Sequence, residues 1–263
     1  MVGLHFFSPA NVMRLLEVVR GARTSGEVIA TAMKLAKRIG KVPVLSRVCA
    51  GFIANRLMRP RGRQAEELVL EGPTPADIDK VIYDYGFAMG PFQMNDLVGL
   101  DVIGRDSLER TLRGDFVARG RLGQKKNGGF YDYDENRVAT PSLIAAEIIA
   151  DFAAYKGVST KGQRSAEAIL GRLLYPVVNE GAKILEEGVA LRASDIDIAA
   201  ILGYNWPVYT GGPMHWADTI GLDKVVDGLR ELEAERGPDF APADLLVRLA
   251  GQGRGFRDHR AVR

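Results

Sequence analysis

Two kinds of hydrophobic pattern divide this chain. Over the first fifty residues the apolar positions come in short aliphatic runs, and Val2-Gly3-Leu4 and Leu15-Leu16-Glu17-Val18-Val19 read as strands. A helix follows: Thr24 and Glu27 form a capping-box signature, and Val28, Ile29, Ala32, Leu35, Ala36 and Ile39 recur at helical spacing before Gly40. Lys41-Val42-Pro43-Val44-Leu45 reads as an edge-type strand, because Pro43 has no N–H to give to a ladder. From Gly51 the spacing becomes helical almost throughout. One long helix is predicted from Asn55 to Glu71, stopped by Gly72-Pro73, and Thr74 caps the next, with Pro75 in its first turn. A turn at Gly90-Pro91 leads into a further helix over Asp96 to Arg105. Another helix is expected from Pro141 to Tyr155, and the polar run Lys156 to Ser165 reads as a linker.

The helical part repeats itself. Arg172-Leu173-Leu174-x-Pro176 matches Arg56-Leu57-Met58-x-Pro60, Asp195-Ile196-Asp197 matches Asp77-Ile78-Asp79, and Gly212-Pro213 matches Gly90-Pro91. Asp218-x-x-Gly221-Leu222-Asp223 likewise matches Asp96-x-x-Gly99-Leu100-Asp101. A repeat of roughly a hundred residues is too long for a solenoid, so two duplicated helical domains facing each other about a pseudo-two-fold axis are expected. The copies differ where it matters: Asn55 aligns with Gly171, which makes the second copy mainly structural in this reading. Its Trp206, Tyr209, His215 and Trp216 read as interdomain packing, with a wall for an apolar chain as the alternative.

Composition narrows the function classes. The 263 residues are 46% hydrophobic and 26% charged, enough to bury more than one core. A net charge of +2, from 35 basic and 33 acidic residues, is too weak a field to argue for nucleic acid. No apolar run reaches eighteen residues and no signal-peptide order opens the chain, so a soluble, cytoplasmic protein is expected, with no membrane partner. The single cysteine, Cys49, excludes an internal disulfide and fits a reducing compartment. No metal site is expected. The nearest approach to a dinucleotide loop is Gly251-Gln252-Gly253-Arg254-Gly255-Phe256, which lacks the third glycine of Gly-x-Gly-x-x-Gly. It reads as part of a basic, partly disordered tail in which Arg254, Arg257 and Arg260 are solvated.

Three polar side chains interrupt the apolar stretches of the first sixty residues: His5, Glu17 and Asn55. An imidazole, which titrates near neutral pH, is suited to act as a general base. A carboxylate such as Glu17 can fix the tautomer of His5, which places the two within roughly 2.6 to 3.2 Å. The amide of Asn55 can donate to a carbonyl or hydroxyl oxygen without competing for the proton.

The order Gly3-Leu4-His5-Phe6-Phe7-Ser8-Pro9, then Leu16-Glu17-Val18-Val19, then Gly51-Phe52-Ile53-Ala54-Asn55-Arg56 closely resembles the L-3-hydroxyacyl-CoA dehydrogenase family. The serine form of the first motif looks most like the multifunctional fatty acid oxidation proteins. The resemblance implies NAD-dependent oxidation of L-3-hydroxyacyl-CoA to 3-oxoacyl-CoA in fatty acid β-oxidation. It gives His5 the role of catalytic base, Glu17 that of its charged partner, and Asn55 contact with the acyl-CoA substrate. Ser8 takes the place of a family residue beside the cofactor, and Lys125, in Leu122-Gly123-x-Lys125 ahead of Gly129-Phe130-Tyr131, reaches the nicotinamide in the family. The implied fold is mainly α: residues 1–47 as the truncated C-terminal part of a Rossmann-type α/β domain, 48–140 as a first helical domain, and 141–263 as its repeat with the basic tail. The first part of the NAD site is then to be supplied by an N-terminal segment or a partner chain. The other reading is a non-catalytic helical module for assembly or acyl-CoA binding.

Overall fold

A computed structural model describes residues 1–103 and 109–259, so Arg105 and Arg260 lie outside the described residues. The chain divides into two compact units, one of Met1–Arg61 with the residues from Gly171 onward, the other Gly62–Leu170.

The first unit is built on a three-stranded sheet, β1 (Val2–Phe6), β2 (Leu15–Arg20) and β3 (Val42–Arg47), in that order. β1 and β2 are antiparallel, and β2 and β3 are parallel, joined by helix α1 (Gly26–Arg38). β2 is the central strand and is buried from Leu15 to Val19, as an uninterrupted aliphatic run requires. Pro43 lies in β3, which pairs on one side only among the described residues. Two local expectations are corrected. The α1 cap is Ser25, whose hydroxyl accepts from Val28 N, while Thr24 Oγ1 instead accepts from Gly21 N and donates to the Met1 carbonyl. The helix buries its small residues Ala32 and Ala36, leaving Val28, Leu35 and Ile39 more than a third exposed.

The long helix α2 (Ala54–Leu70) begins in the first unit and ends in the second. There it is followed by α3 (Pro75–Asp84), α4 (Pro91–Val98), the short α5 (Leu100–Ile103) and α6 (Leu112–Ala118). Thr74 caps α3 in a full capping box with Asp77. A small hairpin, β4 (Tyr131–Tyr133) and β5 (Ala139–Pro141), precedes α7 (Leu143–Lys156). The core of this unit gathers Phe92, Phe116 and Phe130, with ring centroids 4.4 to 4.6 Å apart. The stretch expected to be a linker is tied down: Lys161 N donates to the Glu71 carbonyl and Arg164 pairs with the Glu71 carboxylate.

Helix α8 (Ala166–Glu186) returns the chain to the first unit, which then holds α9 (Ala193–Tyr204), α10 (Pro213–Ile220), α11 (Leu222–Arg236) and α12 (Asp244–Gly251). The repeated aspartates do the same work in each unit. In one, Asp79 accepts from Phe92 N and Gln93 N at the start of α4, and Asp96 from Phe130 N and Tyr131 N. In the other, Asp197 accepts from Met214 N and His215 N at the start of α10, and Asp218 from Phe256 N and Arg257 N. These carboxylates satisfy backbone donors that no helix carbonyl reaches. The second pair also corrects the expected disordered tail: Phe256 is buried, and Gly255 lies so near Asp218 that a Cβ would come within 2.7 Å of its carboxyl. The four aromatic residues read as one packing surface separate instead. Trp206 is buried against Trp216, whereas Tyr209 and His215 are exposed.

Candidate active site

Strand pairing brings the first two candidates together. His5 on β1 stands directly opposite Glu17 on β2, and its Nδ1 lies 2.7 Å from Glu17 Oε2. Glu17 is fully buried among aliphatic neighbours, a place where an unpaired carboxylate would be costly. Its other oxygen resolves this: Oε1 accepts from Ile53 N at 2.9 Å and Ala54 N at 3.0 Å. These amides open α2, so the carboxylate also sits at the positive end of a helix. One buried acid thus links the imidazole to the start of the helix that carries Asn55.

The turn before α2 is shaped for that link. Gly51 and Phe52 both have positive φ, 83° and 48°, and a Cβ on Gly51 would come 2.9 Å from Arg56 N. A phenylalanine in the left-handed region is strained by about 1 to 3 kcal/mol and persists where the surroundings hold it. Here the Phe52 ring lies 5.4 Å from the His5 ring, with Phe7 at 5.2 Å, so two aromatic rings flank the imidazole. With Nδ1 committed to Glu17, Nε2 is the nitrogen left to exchange a proton. A groove of about 490 Å³ opens beside His5, lined by Leu4, Val19, Val48 and Phe52 among others.

Asn55 is exposed at the second residue of α2, and its Oδ1 accepts from the Tyr204 hydroxyl at 2.6 Å. Tyr204 ends α9, in the repeat expected to be mainly structural, and supports Asn55 from there. Burial, with Glu17 adding to it, pushes the Tyr204 phenol up to about 12 and keeps it a hydrogen-bond donor. Arg56, next along α2, pairs with Glu180 Oε1 at 2.6 Å and with both oxygens of Glu187 at 2.5 and 2.7 Å, which fixes α2 to α8 within the first unit. The sequence reading missed both residues. Their only signal was position, Arg56 inside the asparagine motif and Tyr204 at a helix end.

The two cofactor candidates belong to different units. Ser8 occupies the exposed turn after β1, three residues from His5. Lys125 belongs to the second unit, on a short 3-10 turn at Gln124–Lys126, with its Nζ 2.5 Å from Asp101 Oδ1. Among the described residues no cluster of three or more metal-binding side chains occurs, and no helix is long and apolar enough to cross a membrane.

The comparisons with known proteins agree along most of the chain. The family model for the 3-hydroxyacyl-CoA dehydrogenase C-terminal domain matches twice, over residues 51–133 and 169–259, and that for the family's NAD binding domain matches residues 1–49. The peroxisomal bifunctional enzyme of Danio rerio is 39% identical over 96% of this chain, and that of Homo sapiens 36% over the same share. A glyoxysomal fatty acid beta-oxidation multifunctional protein of Cucumis sativus is also 36% identical. The chain spans only about two fifths of their length, 37 to 39%. Among solved structures, the dehydrogenase part of multifunctional enzyme 1 from C. elegans is 37% identical with a TM-score of 0.72, the match covering 94% of this chain and 59% of that one. The 3-hydroxybutyryl-CoA dehydrogenase of Escherichia coli is 26% identical with a TM-score of 0.76, over 95% and 70%. The chain therefore belongs to the 3-hydroxyacyl-CoA dehydrogenase family.

Proposed function

We propose that these residues form the acid–base and substrate half of an NAD-dependent 3-hydroxyacyl-CoA dehydrogenase acting in fatty acid β-oxidation. The observation that carries the reading is the His5–Glu17 contact at 2.7 Å, with Glu17 anchored to the helix start that bears Asn55. His5 takes the proton of the 3-hydroxyl at Nε2, Glu17 holds the ring and balances the imidazolium, and Asn55 donates its amide N–H to the reacting oxygen. The groove beside His5 has the size and apolar lining of a small-molecule site, and we assign it to the acyl end of the substrate.

NAD, when bound, accepts the hydride. Its diphosphate fits neither strand-to-helix junction described for the sheet: from β2 to α1, Gly21 N is taken by Thr24 and Val28 N by Ser25, and from β3 to α2, Ile53 N and Ala54 N are taken by Glu17. A Gly-x-Gly-x-x-Gly loop is likewise absent from the sequence. We therefore assign the diphosphate to a segment or partner chain outside these residues, and carry the cofactor roles implied by the resemblance for Ser8 in the first unit and for Lys125 in the second each as a separate proposal. The same observation favours a second reading, a non-catalytic helical module that binds acyl-CoA.

We read the three sequence segments, 1–47, 48–140 and 141–263, as a Rossmann remnant and two copies of one ancestral helical domain. The paired aspartate caps and the double match of one family model support this. The lone Cys49 supports the expected reducing compartment, whereas the relatives are named for peroxisomes and glyoxysomes. The test is cofactor titration with acetoacetyl-CoA present. Saturable NADH binding and oxidation once a dinucleotide-binding segment is supplied favours the enzyme, and acyl-CoA binding with no response to NADH under the same conditions favours the module.

A further inference from the structure

We infer that Tyr204 is a positioning residue for the dehydrogenase site: its hydroxyl holds the Asn55 amide so that the NH₂ end, and not the carbonyl, meets the reacting oxygen of the acyl group. The inference rests on the functional reading above and extends it to the second repeat.

A primary amide is nearly symmetric in shape, so an unrestrained Asn side chain can turn over and present an acceptor where a donor is needed. A hydroxyl that donates to Oδ1 removes that freedom, and the Tyr204 hydroxyl does so at 2.6 Å. Three further contacts show that the tyrosine is held in place. Its ring meets the edge of Phe7 with centroids 6.1 Å apart, and Phe7 in turn packs on His5. The residue before it is Gly203, where a Cβ would come 3.0 Å from both Leu15 Cδ2 and Phe7 Cε1, so α9 lies close against the sheet at this point. α9 itself packs on β2 and β3, the strands that carry and flank Glu17. The base and the amide are thus positioned by one rigid assembly, with Glu17 fixing His5 and Tyr204 fixing Asn55. The second repeat, where Gly171 replaces the asparagine, contributes to the site through its neighbouring helix.

The test is calorimetric binding of two ligands, acetoacetyl-CoA and CoA, to the unmodified protein and to the Tyr204→Phe, Asn55→Ala and doubly substituted forms. Phenylalanine keeps the ring and its packing and removes only the hydroxyl. The expected result is that Tyr204→Phe weakens acetoacetyl-CoA binding by about three- to tenfold, the range of one hydrogen bond, and leaves CoA binding unchanged. Asn55→Ala should produce a loss at least as large, and the double form should lose no more than Asn55→Ala alone, since both changes remove the same donor. The side-chain NH₂ resonances of Asn55 should also shift in ligand-free Tyr204→Phe. Equal weakening of both ligands, additive losses, or an undiminished preference for acetoacetyl-CoA in Tyr204→Phe would each overturn the inference while leaving the dehydrogenase reading intact. An unmodified protein that binds the two ligands equally would overturn both.

Discussion

Replacing Glu17 separates its structural role from its chemical one. The side chain is fully buried and serves three donors: His5 Nδ1 on one oxygen, Ile53 N and Ala54 N on the other. Glu17→Ala leaves two buried backbone N–H groups without an acceptor, at about 1 to 3 kcal/mol each, while relieving the desolvation of a buried carboxylate. The net loss of stability should be about 2 to 4 kcal/mol, read from the urea midpoint. Amide exchange at Ile53 and Ala54 should accelerate, because these are the donors released. Glu17→Gln behaves differently. Its carbonyl can keep both backbone donors, so stability should fall by only about 1 kcal/mol. Its NH₂ group then faces His5 Nδ1 as a donor and forces the imidazole proton onto Nε2, the position that must be empty in a base. Turnover of the assembled enzyme should drop by roughly 10² to 10⁴. An Ala variant with unchanged midpoint and intact protection at Ile53 and Ala54, or a Gln variant that keeps full turnover, would refute this assignment.

Two further outcomes follow from the aspartate caps. Burial raises the Asp197 pKa to about 7, so the folded chain holds that proton more tightly than the unfolded chain, whose carboxyl titrates near 3.8. The stabilising protonation is complete below about pH 4 and is lost as pH rises through 7. Asp197→Asn should therefore gain stability relative to the unmodified protein between pH 4 and 8, by at most about 4 kcal/mol, and denaturation series at both pH values measure it. In the second unit, a methyl group at Gly90 would overlap the Asp79 side chain and backbone. Gly90→Ala should therefore destabilise that unit by about 3 kcal/mol in a thermal or urea melt.

The strands and the His5–Glu17 contact were legible in the sequence because a central buried strand tolerates few polar residues, and Glu17 interrupts one. A histidine twelve positions before it falls opposite once β1 and β2 pair in antiparallel register. The start of α3 was legible from Gly72-Pro73 and Thr74, but the single helix expected from Asp96 was not found: Gly90-Pro91, read as a turn, caps and opens α4 at Pro91, and Gly99, at φ 101°, ends it before the short α5. Contacts between distant residues were not. Tyr204 lies 149 positions from Asn55, and no periodicity announces that a helix end will reach it. The α1 cap was misplaced by one residue because Thr24 and Ser25 are both competent acceptors, and only the fold commits Thr24 to the Met1 carbonyl. The repeated aspartates were visible as a pattern, but their partners Phe130, Tyr131, Phe256 and Arg257 lie more than thirty residues away and became known only through the structure.

The central claim is that His5 is the base of a dehydrogenase whose cofactor grip lies largely outside these residues. General base catalysis supplies about 10² to 10⁴ in rate, whereas holding the reacting carbons together supplies roughly 7 to 11 kcal/mol. The direct measurement is NADH oxidation with acetoacetyl-CoA, run on the 263-residue chain by itself and again with a polypeptide bearing the family's dinucleotide-binding segment, each beside His5→Ala. The expected result is no robust turnover by the chain itself, turnover restored by the added segment, and its loss in His5→Ala. Restored turnover that survives His5→Ala would contradict the assignment of the base, and robust turnover by the chain itself would contradict the placement of the cofactor grip.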